Sequence, residues 1–178
     1  MEWMFMPLKR YADFSGRSRR MEFWMWQLFQ IIVYAIVVVL MMVLGGGAAM
    51  MMGGGGDPSS MMAAGGIAMI IMLLYLVYCL AVLIPSIAVA VRRLHDTNRT
   101  GWWVLAPLAP YVLMIVAGMM AVGSPDSAGF AGILAMVSLI AVLVLALVLL
   151  VFYLLDGTPG PNKYGPDPKG RQAAEVFA

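Results

Sequence analysis

Apolar residues run along this chain in four long stretches, 23–44, 66–91, 102–122 and 130–155, and all the charged side chains fall in the segments between and around them. A helix rising 1.5 Å per residue needs about 20 apolar residues to cross a hydrocarbon core of about 30 Å, and each stretch meets that length. In lipid every backbone N–H and C=O must be satisfied internally, which predicts helices. Strands of an outer-membrane barrel would be shorter and would alternate polar with apolar positions, a pattern absent here. The reading is therefore an all-α integral membrane four-helix bundle. It has an interfacial N-terminal segment (1–22), a four-span domain (23–155) and a Pro/Gly-rich tail (156–178). The first stretch follows basic residues and precedes the small residues 45–49, as a secretory signal would. Its apolar core is longer than the roughly 7–15 residues typical of such signals, so a retained anchor is expected.

The basic residues are Lys9, Arg10, Arg17, Arg19, Arg20, Arg92, Arg93, Arg99, Lys163, Lys169 and Arg171. In a four-span arrangement all of them lie on one side, and the positive-inside bias makes that side cytoplasmic, with both termini inside. The opposite loops, 45–65 and 123–129, carry only Asp57 and Asp126. Indole favours the headgroup layer, and Trp24, Trp26, Trp102 and Trp103 stand beside the cytoplasmic boundary as interfacial anchors, in agreement with Tyr153. Residues 1–8, too short to span, are expected to lie in the interface.

Composition sharpens this picture. Hydrophobic residues make up 63% of the chain and charged ones 11%, against about 25% charged in a soluble domain. A net charge of +2 gives no reason to expect nucleic acid. Cys79 is the single cysteine and sits in an apolar run, where it acts as a small hydrophobe. The loop 45–65 is rich in Gly and Met, with a turn signal at 57–60. A phosphate-cradling loop would need a following helix and lysine, which the sequence does not supply. Seven methionines between Met41 and Met62 admit a Cu(I) site, yet no His or Cys accompanies them, and no metal or cofactor is expected. Pro85 is expected to kink the second span, with Ser86 placed to take a freed carbonyl, and Pro107 and Pro110 to kink the third. The short connection 92–101 makes the second and third spans antiparallel neighbours, with Asp96, Asn98 and Thr100 as turn and cap residues.

Three segments on the basic side carry a recognisable pattern: FSGRSRRMEFW (14–24), RRLHDTNRTGWW (92–103) and DGTPGPNKYGPDP (156–168). Together, and in this order, they resemble the DUF805 family of bacterial membrane proteins over nearly the whole chain. The resemblance implies a small protein of the bacterial inner membrane and brings no catalytic residue with it, since the family's name records no assigned activity. The Gly/Met loop is longer than the family's pattern leads one to expect.

Within the spans the sequence has no Asp, Glu, Lys, Arg or His, which argues against an ion-coupled transporter. The candidate functional surface is the basic side. Arg17, Arg19, Arg20, Glu22, Arg92, Arg93, His95, Asp96, Asp156, Asn162, Lys163 and Tyr164 are expected to form a cap there. In it arginines attract anionic headgroups or pair with Glu22, Asp96 and Asp156. The expected function is a non-enzymatic membrane component binding anionic lipid or a protein partner. One alternative is an oligomeric channel or transport accessory. A second is an enzyme using His95 as general base beside Asp96, with arginines holding a phosphate.

Overall fold

A computed structural model describes residues 2–44, 58–123 and 128–170. Its regular elements are α1 (Glu2–Lys9), α2 (Arg20–Leu44), α3 (Pro58–Asp96), a 3-10 segment (Gly101–Leu105), α4 (Leu108–Gly123) and α5 (Ala128–Leu154). Among the described residues there is no strand, only an isolated bridge between Asn162 and Gly165. Four stretches are long and apolar enough to cross a membrane: Arg20–Leu44, Ala64–Asp96, Gly101–Gly123 and Ala128–Leu154. Their side chains point outward. Leu74, Val77 and Leu80 are 65%, 59% and 61% exposed, a continuous apolar surface that water would not tolerate and lipid does. The fold is all-α and built for a bilayer.

Three boundaries differ from the sequence reading. Helix α3 begins at Pro58 instead of residue 66, because proline suits the first helical turn, where an N–H would lack a partner anyway. It also runs on to Asp96, so Arg93, His95 and Asp96 stand on its last turn, with Arg92 just before it, and not in a loop. The third span opens as a 3-10 turn, and Pro107 and Pro110 fall beside or within the first turn of α4, where they start a helix instead of kinking one. The stretch 45–57, with the phosphate and copper readings attached to it, lies outside the described residues, as do 124–127 and 171–178.

By internal packing the chain divides into two bodies, Met1–Asp13 with Met21–Ala88, and Phe14–Arg20 with Val89–Ala178. In the first, α1 rests on α2 through an edge-on Phe5–Phe29 pair at 5.5 Å. Pro85 has no N–H, which leaves the Ala81 carbonyl without its helical donor; the Tyr11 hydroxyl supplies one at 2.6 Å. Ser86 Oγ donates to the Val82 carbonyl at 2.7 Å and accepts from Trp26 Nε1 at 3.0 Å and Gln30 Nε2 at 3.4 Å. Tyr78 Oη donates to Gln30 Oε1. Trp26 is thus 0% exposed, its N–H spent on a neighbouring helix, and it is no interfacial anchor.

In the second body α4 and α5 pack together, burying Ala117, Ala131, Ser138 and Leu149. Three of these four are small, which lets two apolar helices approach closely where no hydrophobic force drives them together. Helix α3 ends in a Schellman motif. Asn98 takes the left-handed conformation (φ 59°), its N–H donates to His95 O at 3.0 Å, and Arg99 N–H reaches back to Leu94 O at 3.0 Å.

Candidate functional site

The last turn of α3 is the foundation of the site. A helix C-terminus leaves four carbonyls without intrahelical donors and carries partial negative charge, so it invites N–H groups and cations. The chain answers with two remote segments, the tail and residues 14–20. Thr158 donates to the Asp96 carbonyl through its backbone N–H at 2.9 Å and its hydroxyl at 3.2 Å. Asn162 Nδ2 donates to the His95 carbonyl at 2.9 Å and to Thr158 Oγ1 at 3.1 Å. Ser18 N–H donates to the Arg92 carbonyl at 3.2 Å.

Arg17 threads the centre. Its Nε donates to Asp96 Oδ1 at 3.0 Å, Nη1 to Gly160 O at 2.6 Å and Nη2 to Thr158 O at 2.6 Å. Arg93 donates to the other carboxylate oxygen of Asp96, to the Leu155 carbonyl and, at 3.3 Å, to the Tyr153 carbonyl, thereby capping α5. Asp96 thus holds two buried guanidinium groups, with side chains of Arg17, Arg93 and Asp96 exposed by 1%, 0% and 3%. Burial on this scale is tolerable because each cation has both a carboxylate and backbone carbonyls to replace water.

Around this centre lies a more exposed ring. Arg19 Nε donates to Pro168 O at 2.7 Å. Arg20 and Lys169 both reach Asp156 Oδ1, at 3.0 and 3.2 Å. These contacts hold Asp156 below the usual carboxylate pKa, the hydrogen bond from Arg20 contributing most. His95 Nδ1 lies 3.2 Å from Gly16 O, and its imidazole stacks on the Tyr164 ring with centroids 3.8 Å apart and planes 4° from parallel. Lys163 Nζ stands 4.9 Å from the same Tyr164 ring. His95 and Asp96 are neighbours in sequence but are committed to different partners.

Of the residues singled out in the sequence, Arg17, Arg19, Arg20, Arg92, Arg93, His95, Asp96, Asp156, Asn162, Lys163 and Tyr164 all belong to this second body, while Glu22, Trp24 and Trp26 belong to the first. Arg17, Arg92 and Arg93 are buried, so the expectation that Arg92 and Arg93 meet lipid headgroups is corrected: they are interior groups. Trp102 and Trp103 do lie at the surface, 77% and 38% exposed. Sequence reading missed Thr158 and Gly157. Nothing in a Pro/Gly-rich tail signals which hydroxyl caps a distant helix, or which glycine leaves room for a carboxylate. In the first body it missed Tyr11, Gln30 and Tyr78, although Gln30 in the middle of an apolar run was a usable signal.

A family model described as a protein of unknown function, DUF805, matches residues 11–166, which takes in the first two segments and the third up to residue 166. The chain belongs to the DUF805 family. Among its relatives is the inner membrane protein YhaI of Escherichia coli (strain K12), 33% identical over 95% of this chain and 97% of YhaI. The inner membrane protein YhaH of the same strain is 32% identical over 95% of this chain and 98% of its own. The uncharacterized protein YiiR matches 51% of this chain at 36% identity. No solved structure matches. The DUF805 match thus reaches into all three segments of the polar cluster and covers the apolar helices as well.

Proposed function

We propose that this DUF805 protein is a non-enzymatic component of the bacterial inner membrane that binds anionic phospholipid through a cytoplasmic cap, with both termini inside. The observation that carries the reading is the division of charge in the second body. Residues 14–20, 92–99 and 156–170 hold eight arginines and lysines against three aspartates. Asp96 and the helix-end carbonyls absorb Arg17 and Arg93 in the interior. The cationic surplus is left at the surface: Lys163 is exposed, and the exposed Lys169 and partly exposed Arg20 share the single carboxylate of Asp156. Each surface cation near an anionic leaflet contributes about 1 kcal/mol of attraction, so a few suffice for a preference. The names of the relatives YhaI and YhaH support the inner membrane as the location.

Native mass spectrometry of the protein released from membranes tests this. The wild type should retain phosphatidylglycerol in preference to phosphatidylcholine, and a variant with Arg20, Lys163 and Lys169 all changed to Gln should lose the preference. An unchanged preference counts against the cap as the binding surface. A reporter fused after Ala178 should be active in the cytoplasm; activity in the periplasm would overturn the orientation.

A further inference from the structure

We propose that Arg99, Thr100 and Trp102 form a discrete site for the phosphate and glycerol region of a single membrane phospholipid. The inference rests on the lipid-binding reading above and names a place that the surface cations do not explain. Arg99 differs from the other arginines of the second body. Its guanidinium carbon lies 3.8 Å from the centroid of the Phe152 ring, a cation–π contact that holds the group over the ring. Its hydrogen bond to Thr97 O is long, at 3.4 Å. Among the described residues it meets no carboxylate, whereas Arg17, Arg20 and Arg93 each do.

A guanidinium held over a ring keeps its planar fork of N–H donors, which can engage two oxygens of a phosphodiester at once. Beside it Thr100 is exposed, and its hydroxyl makes no capping hydrogen bond to the 3-10 turn that follows. Next comes Trp102, 77% exposed. Thr100, Trp102, Trp103 and Ala106 line an open groove.

Depth decides the ligand. The membrane-length stretch Gly101–Gly123 starts between Thr100 and Trp102, which sets Arg99 and Thr100 at the headgroup and the indole at the glycerol level, where tryptophan is most at home. A soluble phosphate would use the guanidinium and hydroxyl but leave the indole and groove idle. A phospholipid uses all of them.

The test is native mass spectrometry of the full chain in mild detergent with phosphatidylglycerol, and separately with inorganic phosphate and glycerol phosphate. The wild type should hold one lipid that survives detergent exchange, and Arg99→Gln and Trp102→Ala should each cut its occupancy by roughly tenfold, a loss corresponding to about 1.4 kcal/mol. Trp102 is so exposed that Trp102→Ala should fold normally, which keeps the test valid if Arg99→Gln unfolds. If Trp102→Ala and a folded Arg99→Gln both retain the lipid at wild-type occupancy, the site is wrong, although the broader preference set by Arg20, Lys163 and Lys169 can still hold. If that preference is lost in the triple Gln variant while the single tight lipid stays, both readings gain. Displacement of the lipid by inorganic phosphate at equal concentration would overturn the assignment to lipid.

Discussion

The Tyr11 hydroxyl donates to the Ala81 carbonyl at 2.6 Å, and Ala81 is the residue that Pro85, four positions on, cannot serve. A proline in a membrane helix is tolerated only when something re-satisfies the carbonyl it orphans. Here the substitute comes from the residue pair following α1. Tyr11→Phe should lower stability by about 1 kcal/mol, the usual net worth of a hydrogen bond. Pro85→Ala restores the helical donor, so Tyr11→Phe should cost markedly less in that background. Unfolding of the four variants in mixed detergent, read as a double-mutant cycle, measures the coupling; full additivity would deny it.

Asp96 is worth more. Removing it strands two guanidinium groups in a water-poor interior, and breaking a buried pair in this way costs about 3–5 kcal/mol. Asp96→Ala should therefore abolish the folded second body or lower its thermal midpoint severely. Asp96→Asn keeps the shape and one acceptor oxygen and should be milder. The informative comparison is Arg17→Met, which removes a cation but leaves Asp96 paired with Arg93. It should fall between the two, and a thermal series over the three variants checks the order.

The same contrast shows how far the sequence could be read. Four apolar runs and the one-sided cations are legible because lipid imposes a length and a composition on any helix that crosses it. Asn98 as a helix stop was legible too, since few other side chains accept a left-handed backbone. The partners of Arg17 were not: the sequence offers Glu22, Asp96 and Asp156 as equivalent acids, and only the fold places Asp96 within reach. Trp26 was misread for a related reason. Distance along the chain from a boundary says how deep a residue lies, not which way its ring turns, and Ser86 on another helix claims its N–H.

Gly157 gives a prediction from space alone. A Cβ placed there would overlap the Asp96 carboxylate, and its backbone needs no left-handed conformation. Gly157→Ala should therefore displace Asp96 or the tail, at about 1–3 kcal/mol, the common cost of overpacking. Limited proteolysis should then cut within residues 156–170 faster than in the wild type, at equal concentration and temperature. Equal rates would mean that the tail shifts without losing its hold.

Asp156 is exposed, and its contribution should be local and easily screened. Arg20 and Lys169 hold its pKa below the ordinary 3.8, so the folded form binds the proton more weakly than the unfolded. The favourable contribution is present above the ordinary value and is lost as pH falls through the lower, folded one; between pH 5 and 8 it should not change. Salt acts differently, because at 1 M the screening length falls to about 3 Å and exposed pairs lose most of their attraction. Acylation of Lys169 by an amine reagent should be faster in 1 M salt at neutral pH, and Asp156→Asn should show the same increase without salt. Residues 158–168 should stay docked in both cases, since Arg17 and Arg19 hold their carbonyls independently. Hydrogen exchange that rises across the whole tail in Asp156→Asn would show instead that this exposed cluster, and not the buried arginine, anchors it.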